Sequence, residues 1–164
     1  MVSDKMEEML NEQMNAEFYN SNLYLAMAAW FEAQNLAGLA HWMEVQAAEE
    51  RGHAMRFYNH IRERRGTILL SEVAAVPVKY KSPLNAFEDA FGHEVKVSAA
   101  INRMVEAANA EKDYATALML QWFVNEQVEE EAGTNAVVQQ LRRVGDSEDG
   151  LMQIDHHLGK RKVG

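Results

Sequence analysis

The chain has 164 residues, 48% of them hydrophobic, with a formal net charge of −9 and no cysteine. That length suits one compact domain over residues 1–164 with a core of its own. The charge argues against nucleic acid as a partner, and the missing thiols exclude disulfides and thiolate metal sites. Any bound metal must therefore use oxygen or nitrogen ligands, and the composition fits a reducing, cytoplasmic setting.

The opening "MVSDKMEEML" lacks the apolar run of a signal peptide. Uncharged stretches such as Tyr114 to Asn125 fall short of the roughly 20 residues that span a bilayer. A soluble, unprocessed protein with no membrane partner is expected. Periodicity predicts an all-α chain, with helices over about 5–34, 38–65, 83–111 and 113–142 and a short fifth over about 147–158. The connections "QNLAG" and "EKD" are short, which makes the helices they join antiparallel. Between the second and third helices lies "GTILLSEVAAVPVKYKS". Helices of about 27 residues are about 40 Å long, and about 17 extended residues cover that distance. The second and third helices can thus run parallel across one long crossover, giving a four-helix bundle. In the fifth helix, Leu151, Ile154 and Leu158 form an apolar stripe that suits either an intersubunit contact or packing on its own subunit.

Each long helix carries a seam at spacings of three and four. The first reads Met6, Leu10, Gln13, Glu17, Asn20, Tyr24, Met27, Phe31, and the second Met43, Gln46, Glu50, His53, Phe57. The third reads Leu84, Phe87, Phe91, Glu94, Ser98, Ile101, Val105, and the fourth Thr116, Leu120, Phe123, Gln127, Glu130, Thr134, Val137, Leu141. Each is apolar at its ends and acidic in the middle. Glu17, Glu50, Glu94 and Glu130 then face one another, with no Lys or Arg on any seam. Burying one unpaired carboxylate costs several kcal/mol, and clustering four adds like-charge repulsion. Shared protons relieve part of this, whereas two divalent cations balance four negative charges, which favours a dinuclear metal site.

Spacing points the same way. Glu17 to Glu50 and Glu94 to Gln127 are both 33 residues, with His53 and Glu130 each three residues later. Positions three apart lie about 60° apart around a helix, so each pair can face one centre. The second half has Gln127-x-x-Glu130 where a symmetric site would repeat Glu-x-x-His, so the two metal positions should be unequal. One would take Glu17, Glu50 and His53; the other Glu50 as a bridge, with Glu94 and Glu130. Such an oxygen-rich set with one imidazole suits Fe, Mn or Mg better than Cu. A weaker second position suits a metal that passes through.

The segments "NAEFYNSNLYLAM", "EERGHAM", "HEVKV" and "LQWFVNEQVEEEA", in this order, resemble those of the non-haem bacterial and archaeal ferritins over essentially the whole chain. The resemblance implies a ferritin-like bundle whose Glu residues and Glu-x-x-His motif ligate two irons. It implies a homo-oligomeric cage of 24 subunits that oxidises Fe(II) with O2 or H2O2 and stores a ferric mineral. By the family pattern, Glu17, Glu50, His53 and Glu94 are the di-iron ligands, Gln127 lies beside the second iron, and Glu130 links it to a third site of Glu49, Glu126 and Glu129. Tyr24 matches the family's tyrosine beside the centre, an electron donor and hydrogen-bond partner. Arg51 stands where the related bacterioferritins have a haem-binding Met, so no haem is expected. A rubrerythrin-like di-iron peroxidase or oxidase that keeps its iron is the alternative, against which the single Glu-x-x-His and the missing rubredoxin Cys motif count.

The remaining features have ordinary readings. His41, His60, His156 and His157 read as unspecialised, Trp122 as packing, and the Met-rich stretches as core filler. The closing "GKRKVG" reads as a frayed tail. Gly52 and Gly133 sit inside helices, each at a cost of about 1 kcal/mol relative to Ala; Gly52 suits close packing or a tolerant face.

Overall fold

The computed structural model describes residues 1–162. Five helices run in the order α1 (Asp4–Ala33), α2 (Ala37–Glu63), α3 (Pro83–Ala110), α4 (Tyr114–Val144) and α5 (Glu148–Leu158), with no strand among the described residues. Their ends lie within two residues of the expected bounds.

Local chemistry sets those ends. Ser3, Ser82, Asp113 and Ser147 each accept a hydrogen bond from the first turn of the helix they precede, satisfying a donor that has no intrahelical partner. Pro83 stands in the first turn of α3, where its missing N–H costs nothing. Gln34 and Asn35 follow α1, and Asn35, Arg65 and Lys112 turn the chain in the left-handed region.

The helix α2 lacks a side-chain cap of its own. Asp155 of α5 supplies one from a distance: its Oδ1 accepts from the Leu39 N–H at 2.9 Å. This close approach requires Gly38, where a Cβ would lie 1.7 Å from the Asp155 carbonyl oxygen. Ile154 and Leu158 are buried and join Leu39, Trp42 and Phe87 in one apolar cluster, with Leu151 packed against it. The stripe on the fifth helix is therefore used within its own subunit.

The crossover over 64–82 has no helix or strand. Two side chains of α1 hold it. Asn11 donates to the Thr67 carbonyl at 2.9 Å and accepts from the Leu69 N–H at 2.7 Å. Asn15 repeats this with the Leu69 carbonyl at 2.8 Å and the Ser71 N–H at 3.0 Å. Backbone groups that lack a sheet or helix are satisfied in this way by amide side chains.

Two apolar clusters divide the bundle, one containing Tyr24, Phe31, Trp42 and Phe87, the other Leu10, Phe57, Ile101 and Phe123. Phe57 and Phe123 stack with centroids 4.3 Å apart. The seams predicted on the first, second and fourth helices are buried throughout. On α3 the buried row is Ala86, Phe87, Ala90, Glu94, Val97, Ile101, Met104 and Ala108. Leu84, Phe91, Ser98 and Val105 are only half-buried, because alanines on the neighbouring row let the facing helices approach that side instead. Nothing lies within 4 Å of a Cβ built at Gly52 or Gly133. Close packing thus does not account for Gly52, which sits on a tolerant face, or for Gly133, which lines a pocket with Glu126, Glu129 and Glu130.

Gly38→Ala should push α5 from the start of α2 and cost more than Asp155→Ala. Loss of the distant cap alone is worth about 0.5–2 kcal/mol, while overpacking against a backbone oxygen costs about 1–3 kcal/mol or more. Thermal unfolding of the two variants side by side checks that order.

Candidate metal centre

Between the two apolar clusters lies a polar layer built from all four long helices. Glu17, Glu50, Glu94 and Glu130 are 1%, 2%, 1% and 6% exposed, so the sequence expectation of inward-facing acids holds for all four. His53 is buried beside them. Trp122 and Phe123 meet the His53 ring edge-on, and the Arg56 guanidinium lies 3.8 Å from the centre of the Trp122 ring. Trp122 thus walls the imidazole by packing.

Neutral donors hold the carboxylates. Gln13 donates to Glu17 Oε1 at 2.7 Å, and Asn20 to Glu17 Oε2 at 2.9 Å and Glu50 Oε2 at 3.4 Å. Gln46 donates to Glu130 Oε2 at 2.5 Å and Glu50 Oε1 at 3.4 Å. Gln127 donates to Glu94 Oε2 at 3.1 Å, and the Tyr24 hydroxyl donates to Glu94 Oε1. Among the described residues, no buried side-chain nitrogen or oxygen lacks a partner.

Behind Asn20 stands His93, whose Nε2 lies 2.7 Å from Asn20 Oδ1. Asn20 Oδ1 can only accept, so this contact assigns the His93 proton to Nε2. Burial, with Lys96 nearby, lowers the His93 pKa and favours that neutral ring. The sequence reading did not single out His93; its place beside Glu94 was the one available signal.

Burial raises the pKa of each central acid. For Glu17 the Glu50 charge adds to the effect. Burial and then the Glu94 charge push Glu50 up to about 8 and Glu130 up to about 7. Glu94 is raised less freely, since its bonds from Tyr24 and Gln127 oppose the burial. Burial and the Glu94 charge raise Tyr24 well above the usual phenol range, which keeps its proton on the hydroxyl. The layer therefore tolerates its acids by holding protons, and protons on ligand oxygens are what a metal ion displaces.

Two groups of donors converge. One oxygen each from Glu17 and Glu50 and a His53 nitrogen lie within 4.8 Å of one another, and so do donors of His53, Glu126 and Glu130. His53 Nδ1 is 3.5 Å from Glu50 Oε2, and its Nε2 is 3.8 Å from Glu126 Oε1. Two carboxylates with one imidazole form an N/O donor set that fits iron. The expected second set of Glu50, Glu94 and Glu130 is not gathered in the same way: Glu94 is in neither group, its carboxylate being turned to Tyr24 and Gln127.

Glu49, Glu126, Glu129 and Glu130 line one pocket of about 300 Å³, so the three residues named for a third position share a space with the residue named as its link. Glu49 and Glu126 are half-buried and Glu129 is exposed. Arg161 and Trp42 line the same pocket. Arg161 Nη2 meets Glu49 Oε2 at 2.6 Å, and its guanidinium lies 4.2 Å from the centre of the Trp42 ring. Residues 159–161 of the closing segment are therefore held in place and not frayed; residues 163 and 164 lie outside the described residues. His41, read as unspecialised, donates from Nε2 to the Arg161 carbonyl at 2.8 Å.

Comparison with known proteins places this geometry. The Ferritin-like domain family model matches residues 7–144. A bacterial non-heme ferritin of Bacteroides fragilis is 43% identical over 161 residues, covering 98% of this chain and 100% of the relative. A probable bacterial non-heme ferritin-like protein of Haemophilus influenzae is 38% identical over 159 residues, covering 97% of this chain and 96% of the relative. Among solved structures, a closed form of the Archaeoglobus fulgidus ferritin engineered by mutagenesis superposes with a TM-score of 0.98 at 44% identity, covering 100% of both chains. The open-pore ferritin of the same archaeon also superposes at 0.98 and 44% identity, covering 99% of this chain and 100% of the other.

The raised acids make stability depend on pH with a definite sign. A carboxyl whose folded pKa lies above its unfolded value binds more protons folded than unfolded, so stability falls as pH rises between the two. For Glu50 that window runs from about 4.5 to about 8. The metal-free protein should melt several degrees lower at the top of this window than at the bottom. Glu50→Gln should flatten the slope, and a melting series against pH measures both.

Proposed function

Because the chain belongs to the ferritin family, we propose that it oxidises Fe(II) to Fe(III) at the polar layer between its two apolar clusters and stores the ferric product within a homo-oligomer. The observation that carries this reading is the convergence of Glu17, Glu50 and His53 inside a bundle that offers no internal cation on its seams. Non-haem ferritins are iron-storage ferroxidases, and here iron is substrate and cargo rather than a resident cofactor. No helix among the described residues is long and apolar enough to cross a membrane.

In this reading Glu17, Glu50 and His53 bind the first ferrous ion. Glu50 also faces the second, which Glu94 and Glu130 complete, with Gln127 beside it. The two positions differ because the second half of the chain offers an amide where the first offers an imidazole. Each ferrous ion gives up one electron, so a pair reduces O2 to H2O2, or H2O2 to water, with two protons taken up. The protons that Glu50 and Glu130 hold leave as the ions bind, and Gln13, Asn20 and Gln46 keep the carboxylates aimed while this happens. Tyr24 holds Glu94 and stands ready as an electron donor. Glu49, Glu126 and Glu129 form the third position, toward which the ferric product moves. The acidic balance of the chain raises the local concentration of Fe(II). We further propose an assembly of 24 copies in the cytoplasm, each copy acting as one domain over 1–164.

Glu50→Ala should slow aerobic Fe(II) oxidation by more than about a hundredfold, since outer-shell losses alone cost 10–100-fold at metal sites. Light scattering should show the particle mass unchanged. Oxidation at the original rate in that variant would remove Glu50 from the centre. Uptake that stops at two irons per subunit in the unsubstituted protein would point to an enzyme with retained iron instead of a store.

A further inference from the structure

Arg161 sits 112 residues from Glu49 in sequence yet reaches into the acid-lined pocket beside the centre. Its contacts are specific. Nη1 donates to Gln46 Oε1 at 2.9 Å and to the Trp42 carbonyl at 3.2 Å, while Nη2 donates to Glu49 Oε2 at 2.6 Å. The guanidinium also lies over the Trp42 ring. Three acceptors and an aromatic face hold a planar fork in one orientation, which suits Arg and not a compact ammonium.

We propose that Arg161 is a tethered cation that holds the third iron position closed, and that an incoming metal ion must displace its guanidinium from Glu49. This rests on the reading of the pocket as the third iron position. A guanidinium keeps its charge at every accessible pH, so it neutralises Glu49 without titrating. A divalent ion brings twice the charge and can also engage Glu126 and Glu129, which Arg161 does not touch among the hydrogen bonds of this site. The competition therefore delays occupation of the third position until the two tighter positions are filled.

The same residue governs Gln46. Because Arg161 bonds to Gln46 Oε1, the amide nitrogen is turned to Glu130 and Glu50. Displacement of Arg161 frees that amide to rotate and releases Glu130 from its donor. Metal arrival in the pocket is thereby coupled to the acid that links it to the centre. The tail is held in reach by His41, whose bond to the Arg161 carbonyl persists when only the side chain swings out.

Zinc(II), which takes oxygen and nitrogen donors without redox chemistry, is the probe. Calorimetric titration of the assembled protein should show two tight steps and a weaker third. In Arg161→Gln the third step should tighten by about tenfold, the size of one charge-assisted hydrogen bond lost from the competing state. The first step, whose ligands Glu17 and His53 take no hydrogen bond from Gln46, should change far less than the third. Arg161→Lys, which keeps the charge but loses the fork, should fall between. Trp42 emission, isolated by difference against Trp42→Phe, should shift during the third step in the unsubstituted protein as the guanidinium leaves the ring, and should not shift in Arg161→Gln. Light scattering verifies that each variant keeps its particle mass. A third step that is unchanged, weaker or missing in Arg161→Gln, or Trp42 emission that ignores the third step, overturns the proposal and leaves the centre standing. Absence of the first two steps in the unsubstituted protein overturns both.

Discussion

Everything in this bundle is organised around four carboxylates that share a low-dielectric layer between two apolar clusters. Ionised together and unpaired, they would cost the fold several kcal/mol each. The chain meets that cost with neutral amides, a phenol and retained protons, and it places no Lys or Arg among the seam residues. Neutral donors orient acids without cancelling their charge. A Lys or Arg among them would compete with an incoming cation, as Arg161 does at Glu49.

The rest of the architecture serves that layer. Helices of 27 to 31 residues are long enough to put an apolar cluster on each side of it. The crossover lets the two hairpins face one another in mirrored register, and Asn11 and Asn15 fix it to α1 so that its irregular backbone is satisfied. At one end, α5 caps α2 through Asp155 and returns the chain toward the pocket. Arg161 arrives there because Gly38 lets α5 lie close.

The bundle and most of the centre were legible from residue spacing because helical periodicity maps directly onto burial. Glu17, Glu50, His53, Gln127 and Glu130 stand on rows whose neighbours are apolar, and each is buried as that pattern requires. The third helix misled in part, since Ala86, Ala90 and Ala108 carry less hydrophobic weight than Leu84 and Phe91, yet small side chains admit closer contact. Gln13, Asn20 and Gln46 were visible as seam residues, but their partners depend on side-chain rotation and on helices distant in sequence. The convergence of His53 with Glu126 and Glu130, in place of a set including Glu94, depends on the same choices. Arg161 lay beyond reach for a different cause: a short basic tail has no periodicity, and only the path of α5 determines where it lands.

The central claim is that the inward acids exist to receive multivalent cations. Anomalous diffraction at the iron absorption edge, from crystals soaked in ferrous salt without oxygen, addresses it most directly. The account predicts iron enclosed by Glu17, Glu50 and His53, with a second, less occupied ion between Glu50, Glu94 and Glu130 after the amides give up their carboxylates. Acids still bound to Gln13, Asn20 and Gln46, with no anomalous density among them, would contradict it.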